Sequence, residues 1–490
     1  ILPIDLQDFS NAQPENTNVD DFDRQMRTAA TYFSGNIGLF DMLFLNSNVR
    51  VESSSTIGPN AESVFVYPSV DLAWQFSKLD LFVGSPILTF GKLRLAYGEV
   101  GVEPPPYNTQ SIYVSPNYSD SYGGSLSTDL FGAGSFTPSQ DLGDPNLRPE
   151  IKREYEVGTD IRFFDNKVKI GYSYYYNTTD DVFFNLSLAN SSGYDELFTN
   201  AGKIENKGME VDFSYDIIQN DDFNVNINAN WSYYRNKVLD LKGVESIRLG
   251  GLSAVSGRAV EGYPLGVFWG TKFTRSDDGS ILLNDNGFPS LAPENGVIGD
   301  PHPDWQGGIG TTVSWKDLNL YFLFESYQGA DIYAGTKAVL LNYGRHIESG
   351  TETTANMDLF DYNGGLITSG STFRGSIHDF GAGDVALTES WYRGIGGYFS
   401  GVQEQFIEDG SWTRLREVTL SYSIRGPSFR KSTKLSSIDL SITGRNLHIW
   451  TNFVGNDPDT NLTEVSTTRG IDYFNNPGTK SFVFKITLNY

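Results

Sequence analysis

The sequence predicts an all-β protein, an antiparallel β-barrel of the kind that spans a membrane, and three observations carry that reading. Apolar and polar residues alternate with a period of two in many stretches. The chain is rich in rings, with 27 Tyr, 33 Phe and 8 Trp, yet only 39% hydrophobic overall. It also lacks any run of roughly 18 apolar residues that would make a membrane-crossing helix. A β-barrel escapes that last test, because its strands face lipid only at alternate positions.

In chain order, strand-like segments lie at 29–40, 42–54, 62–76, 88–99, 153–164, 166–179, 206–218, 222–236, 264–274, 306–315, 317–327, 412–426, 436–449 and 480–490, about 14 in all. The signal is clearest where Phe223, Val225, Ile227, Ala229 and Trp231 alternate with Asn224, Asn226, Asn228 and Asn230. One face suits hydrocarbon, and the other carries amides that are costly in a dry core unless each is paired. Leu318, Leu320, Phe322 and Phe324 form a similar face. In RLREVTLSYSI, Val418, Leu420, Tyr422 and Ile424 oppose Glu417, Thr419, Ser421 and Ser423. Ile438, Leu440 and Ile442 repeat the pattern, and Phe482, Phe484, Ile486, Leu488 and Tyr490 carry it to the last residue.

Some neighbours are joined tightly, as at Phe164-Asp165-Asn166 and across Ile218 to Asp222. Other intervals are long: approximately 100–152, 180–205, 237–263, 275–305 and 328–411, rich in Gly, Ser, Asn and Asp. Short turns on one side and long segments on the other suit the two rims of an outer-membrane barrel, with the long segments extracellular. Tyr107, Tyr113, Tyr118, Trp391, Tyr392, Tyr398 and Phe399 offer anchors for ordered structure within them, and a short helix fits in 328–346. A soluble sandwich with elaborated loops is the plain alternative. No repeat of 20–50 residues supports a propeller or solenoid.

With 36 Lys and Arg against 60 Asp and Glu, the net charge of −24 disfavours a general binder of nucleic acid. The absence of cysteine excludes disulfides, thiolate metal sites and cysteine nucleophiles. The opening residues have neither a basic stretch nor a cleavage site after an apolar core, so no signal peptide is read there.

Few residues invite chemistry. Gly250, Gly251 and Gly257 form no dinucleotide or phosphate-binding pattern. His302, His346, His378 and His448 lack metal-ligand spacing, although Asp300 and Asp304 flank His302. Asp277, Asp278, Asp285 and Asn286, and again Asn456, Asp457, Asp459 and Asn461, offer hard oxygen donors for a structural calcium, but without EF-hand spacing. They read first as turn residues. Asp300, Pro301, Pro303, Asp304 and Trp305 form a rigid rim turn, and Arg445 and Asn446 mark a strand end. Trp412 and Trp450 suit an interfacial girdle, with an interior role as the alternative. The sequence marks no catalytic, cofactor-binding or metal residue, and no pattern in it singles out substrate-binding residues.

Several segments together resemble the SusC-like, TonB-dependent outer-membrane transporters of Bacteroidota. They include LRLAYGEVG at 93–101, NLRPEIKREYEVGTDIRFFDNKVKIGYSYYYNTTDD at 146–181, AGKIENKGMEVDFSYDI at 201–217 and GYPLGVFWG at 262–270. VIGDPHPDWQGGIGTTVSWKDLNLYFLFESYQGADIY at 297–333, WTRLREVTLSYSI at 412–424, SITGRNLHIWTNFVGNDPDTN at 441–461 and the terminal SFVFKITLNY complete the series. The resemblance implies that residues 1–490 are the C-terminal portion of a barrel of about 22 strands with its N-terminal plug missing, leaving roughly eight strands elsewhere. It also implies a multi-pass protein of the outer membrane, and no enzyme. The implied partners are a SusD-like surface lipoprotein, TonB acting through a missing N-terminal region, outer-membrane lipid, and a large glycan or peptide as cargo. The implied function is TonB-dependent nutrient import; the alternative is a structural scaffold in an outer-membrane assembly or secretion complex.

Overall fold

The computed structural model of the chain describes residues 24–114, 117–118, 126–127, 136–459, 461–463 and 468–490. The opening stretch read for a signal peptide, and the side chain of Tyr118, lie outside the described residues. Thirteen long strands form one antiparallel sheet in strict chain order: β1 (Thr28–Leu39), β2 (Leu43–Ser54), β3 (Phe65–Trp74), β4 (Leu88–Val102), β5 (Glu150–Phe163), β6 (Val168–Ser187), β7 (Glu196–Gln219), β8 (Phe223–Asp240), β9 (Trp305–Trp315), β10 (Leu318–Gln328), β11 (Trp412–Arg425), β12 (Ser437–Thr451) and β13 (Ser481–Asn489). A two-residue strand, Asp141–Leu142, adds to the start of β7 in parallel. β1 and β13 are not paired with each other, so the described residues form an open sheet and contain no closed barrel.

Every second connection is short. Residues 40–42, 164–167, 220–222 and 316–317 join their strands tightly, and 75–87 and 426–436 are compact, the latter holding α4 (Pro427–Thr433). Phe40, Asp41, Phe164, Asp165, Asn166 and Lys316 take left-handed backbone angles there, as tight hairpins require. The opposite rim carries 55–64, 103–149, 188–195, 241–304, 329–411 and 452–480.

Two of the expected boundaries change. Segment 264–274 does not join the large sheet; Val267–Gly270 belongs to a separate four-stranded sheet with Ser246–Gly251, Val255–Val260 and Gly296–Gly299. Its GYPLGVFWG run is apolar without alternation, and Val267 and Phe268 are fully buried in the loop core rather than facing lipid. Interval 180–205 contracts to residues 188–195, because β6 and β7 continue past a bulge at Asp180 to Val182, with Asp181 at φ 61°. The helix expected in 328–346 is α1 (Gly335–Asn342).

Strand register fixes the two faces. Leu95, Val157, Tyr174, Met209 and Tyr233 are successive partners across β4 to β8, and Ala229, Ile309 and Phe324 continue on the same side. Val418, Leu420, Ile442, Phe484 and Ile486 complete a convex apolar band. Rings mark its margins. Trp315 and Phe223 pair near the short rim, while Tyr97 and Tyr155, 4.9 Å apart, and Phe324 and Trp450, 6.3 Å apart, lie towards the long rim. Ten residues of tilted strand span about 25 Å, the height of a hydrocarbon-facing belt. Ile309 lies within this belt and is exposed. Ile309→Arg is expected to cost about 2–4 kcal/mol of folding stability in lipid. Thr312→Arg, on the concave side against Asn226 and Tyr321, is expected to be tolerated. Urea unfolding of the full-length protein in lipid vesicles, followed by gel mobility without heating, measures the difference.

Candidate functional site

The concave face presents the polar half of the alternation. Asn226 donates to Asp216 at 2.7 Å and Asn228 donates to Asn226 at 2.5 Å, so the amides of β8 bond among themselves. Asn228 and Asn230 line a hollow of about 540 Å³ with Lys92, Asp160, Arg162 and Asp212. A ladder of ion pairs crosses this face: Lys92 to Asp160 at 3.0 Å, Asp160 to Arg94 at 3.2 Å, and Arg94 to Glu156 at 3.1 Å. Arg94 also donates to Ser173 at 3.1 Å. It reaches across Gly158, where a Cβ would stand 2.7 Å from its Nη2. Each pair is about one-third exposed and adds little stability alone. Together they give a charged, partly exposed lining.

The long rim is a folded layer with its own core. Phe268, Phe288, Tyr333, Val402 and Ile471 are fully buried within one cluster that also holds Trp391, Tyr392, Tyr398 and Phe406. Three of these rings, Trp391, Tyr392 and Tyr398, are the anchors expected from the sequence; Tyr107, Tyr113 and Phe399 are instead exposed. Asp331–Ala334, Ile407–Asp409 and Ile471–Asp472 form a three-stranded sheet that ties 329–411 to 452–480. The buried Tyr333 hydroxyl donates to Gln403, whose amide donates to the carbonyls of Tyr398 and Gly401 at 2.7 and 3.2 Å. This polar group is buried yet satisfied.

The layer is fastened to the sheet by charge. Arg414 on β11 meets Asp457 at 2.6 Å and Asp459 at 3.8 Å, and Arg414 and Asp457 are nearly excluded from solvent. Arg416 meets Glu325 at 2.5 Å and Asp459 at 3.4 Å and donates to Asn446 at 2.9 Å. Trp412 lies beneath both guanidiniums, at 5.0 and 5.5 Å, and stacks on Tyr327 at 5.9 Å. Oxygens that the sequence offered to calcium are thus counter-charges to strand arginines, and Asn461 accepts from the Gly470 amide at 2.5 Å. Asp278 is also engaged, accepting from the hydroxyls of Ser276 and Ser280 and the amide of Ser280, which hold its carboxyl at about 2. Among the described residues no three His, Asp or Glu side chains form a group that could hold a metal.

The histidines stay apart. His302 is buried and meets Asp300 at 2.7 Å, His346 caps α2 (Ile347–Gly350), His378 meets the Phe380 ring, and His448 meets Trp450. The Asp300 to Trp305 element is a rim turn: Asp304 pairs with Arg235, and Arg235 also donates to the Pro303 carbonyl at 2.6 Å. Trp450 is half-exposed on the convex face, whereas Trp412 is buried inside. Arg445 and Asn446 lie inside β12 rather than at a strand end, and Arg445 pairs with Glu417 at 3.1 Å on the concave face.

Burial pushes the carboxyls of Asp331, Asp459 and Asp472 above the usual range. Opposing this, Arg414 and Arg416 lower Asp459, the Thr336 hydroxyl lowers Asp472, and the Asp300 amide lowers Asp331. The folded layer therefore binds these protons more tightly than the unfolded chain. Their contribution favours folding below the ordinary carboxylate value and weakens as pH rises through the raised folded values. Hydrogen exchange in 452–480 is expected to lose protection as pH rises from the ordinary carboxylate range towards neutrality, after correction for intrinsic rates. Asp459→Asn should flatten that dependence.

The family described as TonB dependent receptor-like, beta-barrel matches residues 4–338. TonB-dependent receptor P3 of Formosa agariphila is 25% identical over 476 residues, covering 90% of this chain and 43% of that protein. TonB-dependent receptor SusC of Bacteroides thetaiotaomicron is 22% identical over 488 residues, covering 94% and 44%. Among solved structures, the RagAB peptide importer in its open-open state superposes with a TM-score of 0.69 at 20% identity, over 95% of this chain and 47% of that one. Its closed-closed state gives 0.70 at 20% identity, over 94% and 47%. That likeness is one of fold. The chain spans less than half the length of these relatives. Membership of a receptor family also speaks against an enzyme. A convex apolar band, a charged concave face and a match over residues 4–338 meet in one conclusion: this chain belongs to the TonB-dependent receptor-like β-barrel family, SusC-like in kind, and is a protein of the bacterial outer membrane.

Proposed function

We propose that the chain supplies the C-terminal part of the barrel of a TonB-dependent importer for nutrients too large for ordinary pores, glycans or peptides. The observation that carries this reading is the division of labour between the two rims. One is closed by short turns; the other bears a folded layer with its own core, set above a charged concave face. In this reading the long rim faces outward, where a SusD-like surface lipoprotein closes over it. A plug and about eight further strands complete a barrel of about 22 strands, as edges in hydrocarbon require pairing. TonB acts on the plug side, outside these 490 residues.

Deletion of the complete gene is expected to abolish growth on one nutrient class, either a glycan or a peptide mixture, and a chromosomal copy should restore it. Purification of the restored protein in mild detergent should bring down a surface lipoprotein, identified by peptide mass spectrometry. Normal growth on every such nutrient, together with loss of other outer-membrane proteins, would instead establish the scaffold.

A further inference from the structure

The outer layer holds a hollow of about 400 Å³ between α1, α2 and α3 (Glu389–Arg393), away from the charged junction and from the concave face. Its lining includes Asn342, Tyr343, Arg374, Glu389, Tyr392 and Arg393. Residues 329–411 contain eleven carboxylates and only four Lys or Arg, yet two of those four line this one hollow.

Neither guanidinium is firmly engaged. Arg374 has no hydrogen bond or ion pair among the described residues, and it forms no ion pair with Glu352, its register partner. Among the described residues the Arg393 side chain meets only Glu389, at 3.3 Å, one helical turn away, with side chains 70% and 80% exposed. An exposed pair of that kind contributes little and yields readily to a better acceptor. Beside them the Tyr343 ring is 64% exposed and braced edge-on by Phe399 at 5.8 Å. The rear wall is firm, since Tyr392 is buried and its hydroxyl shares a hydrogen bond with Ser376 at 3.0 Å.

Forked guanidiniums with free N–H groups match carboxylates in pairs, and an aromatic face beside them supports a flat or ring-shaped unit. The net charge of −24 does not forbid an anionic ligand, because exposed charges beyond about 8 Å are screened at physiological ionic strength. We propose that this hollow is a carboxylate-binding subsite for an acidic oligomer, with Arg374 and Arg393 taking the ligand's carboxylates and Tyr343 carrying its body. The proposal rests on the import reading for the fate of the ligand, but its binding stands alone.

The test uses the full-length receptor purified in detergent, with calorimetry on two matched pairs of probes: hexaglutamate against hexaglutamine, and hexagalacturonate against its methyl ester. In at least one pair the acidic member is expected to bind about tenfold more tightly than the neutral one, a preference that shrinks as salt rises. The pair that shows it distinguishes peptide from glycan. Arg374→Ala with Arg393→Ala should remove the preference, while Arg374→Lys with Arg393→Lys should keep part of it. Unheated gel mobility confirms that each variant is folded. Equal affinities, failure of both acidic probes to bind, or a preference surviving the double alanine variant would each overturn the assignment. Import of the growth-supporting nutrient, measured in cells carrying the alanine variant, separates failure of this subsite from failure of the import reading.

Discussion

Asp457→Ala is expected to destabilise the junction between the long-rim layer and the sheet by about 3 kcal/mol, the low end of the range for removing one partner of a buried ion pair. Arg414 is 6% exposed and Asp457 10%, so the arginine left behind cannot recover its hydration without moving. Asp459, at 3.8 Å, offers partial compensation, which places the effect at the low end. The Nε of Arg414 is already buried without a hydrogen bond, so that side chain has little reserve. Adding Arg414→Met to the same variant should recover part of the loss, because neither charge then remains in the dry site. Urea unfolding and limited proteolysis within 452–480 read the effect. A single variant as stable as the parent would mean that water already enters the junction.

Trp391→Ala is expected to cost about 3–5 kcal/mol and to loosen the long-rim layer while the sheet persists. The indole is 2% exposed and meets Phe288, Tyr362 and Phe380 at centroid distances of 5.6, 5.7 and 5.2 Å. Its removal opens a ring-sized cavity bounded by side chains already committed to one another. Near-ultraviolet circular dichroism should lose intensity and proteolysis should begin within 329–411, while unheated gel mobility stays that of a folded barrel. Trp391→Phe should retain most of the stability. Coincident collapse of layer and sheet would show that they form one cooperative unit.

These two sites differ in how plainly the sequence announces them. Alternation revealed the strands of the large sheet because a strand wetted on one face must repeat its chemistry every second residue, as Phe223 to Trp231 does. Segment 264–274 misled because Val267, Phe268 and Trp269 form a continuous apolar run, which period alone cannot assign to a lipid face or a buried core. The rings at Trp391, Tyr392 and Tyr398 were legible as anchors, but not that Phe288 would join them from another connection. Asp457 and Asp459 looked like turn residues or cation ligands. Their arginines lie 43 residues or more away along the chain, a pairing created only when β12 returns beside β11. The hollow with Arg374 and Arg393 left no local pattern either, since separate strand and helix segments bring them together.

The alternation of turn lengths also sets an order of events in folding. The β9–β10 connection has two residues, 316–317, and the β10–β11 connection has 83, 329–411. By the logarithmic growth of loop-closure entropy, bringing β10 and β11 together costs about 3 kcal/mol more than closing the β9–β10 hairpin. Hairpins such as β1–β2, β5–β6, β7–β8 and β9–β10 are therefore the natural early units, forming on a microsecond scale when free of the membrane. Pairing between hairpins must wait until the long connections have collapsed or found their own core. The residues at the rings' centre thus influence kinetics as well as strength: a variant that slows collapse of 329–411 delays the meeting of β10 and β11, leaving two strand edges open to wrong partners during that interval.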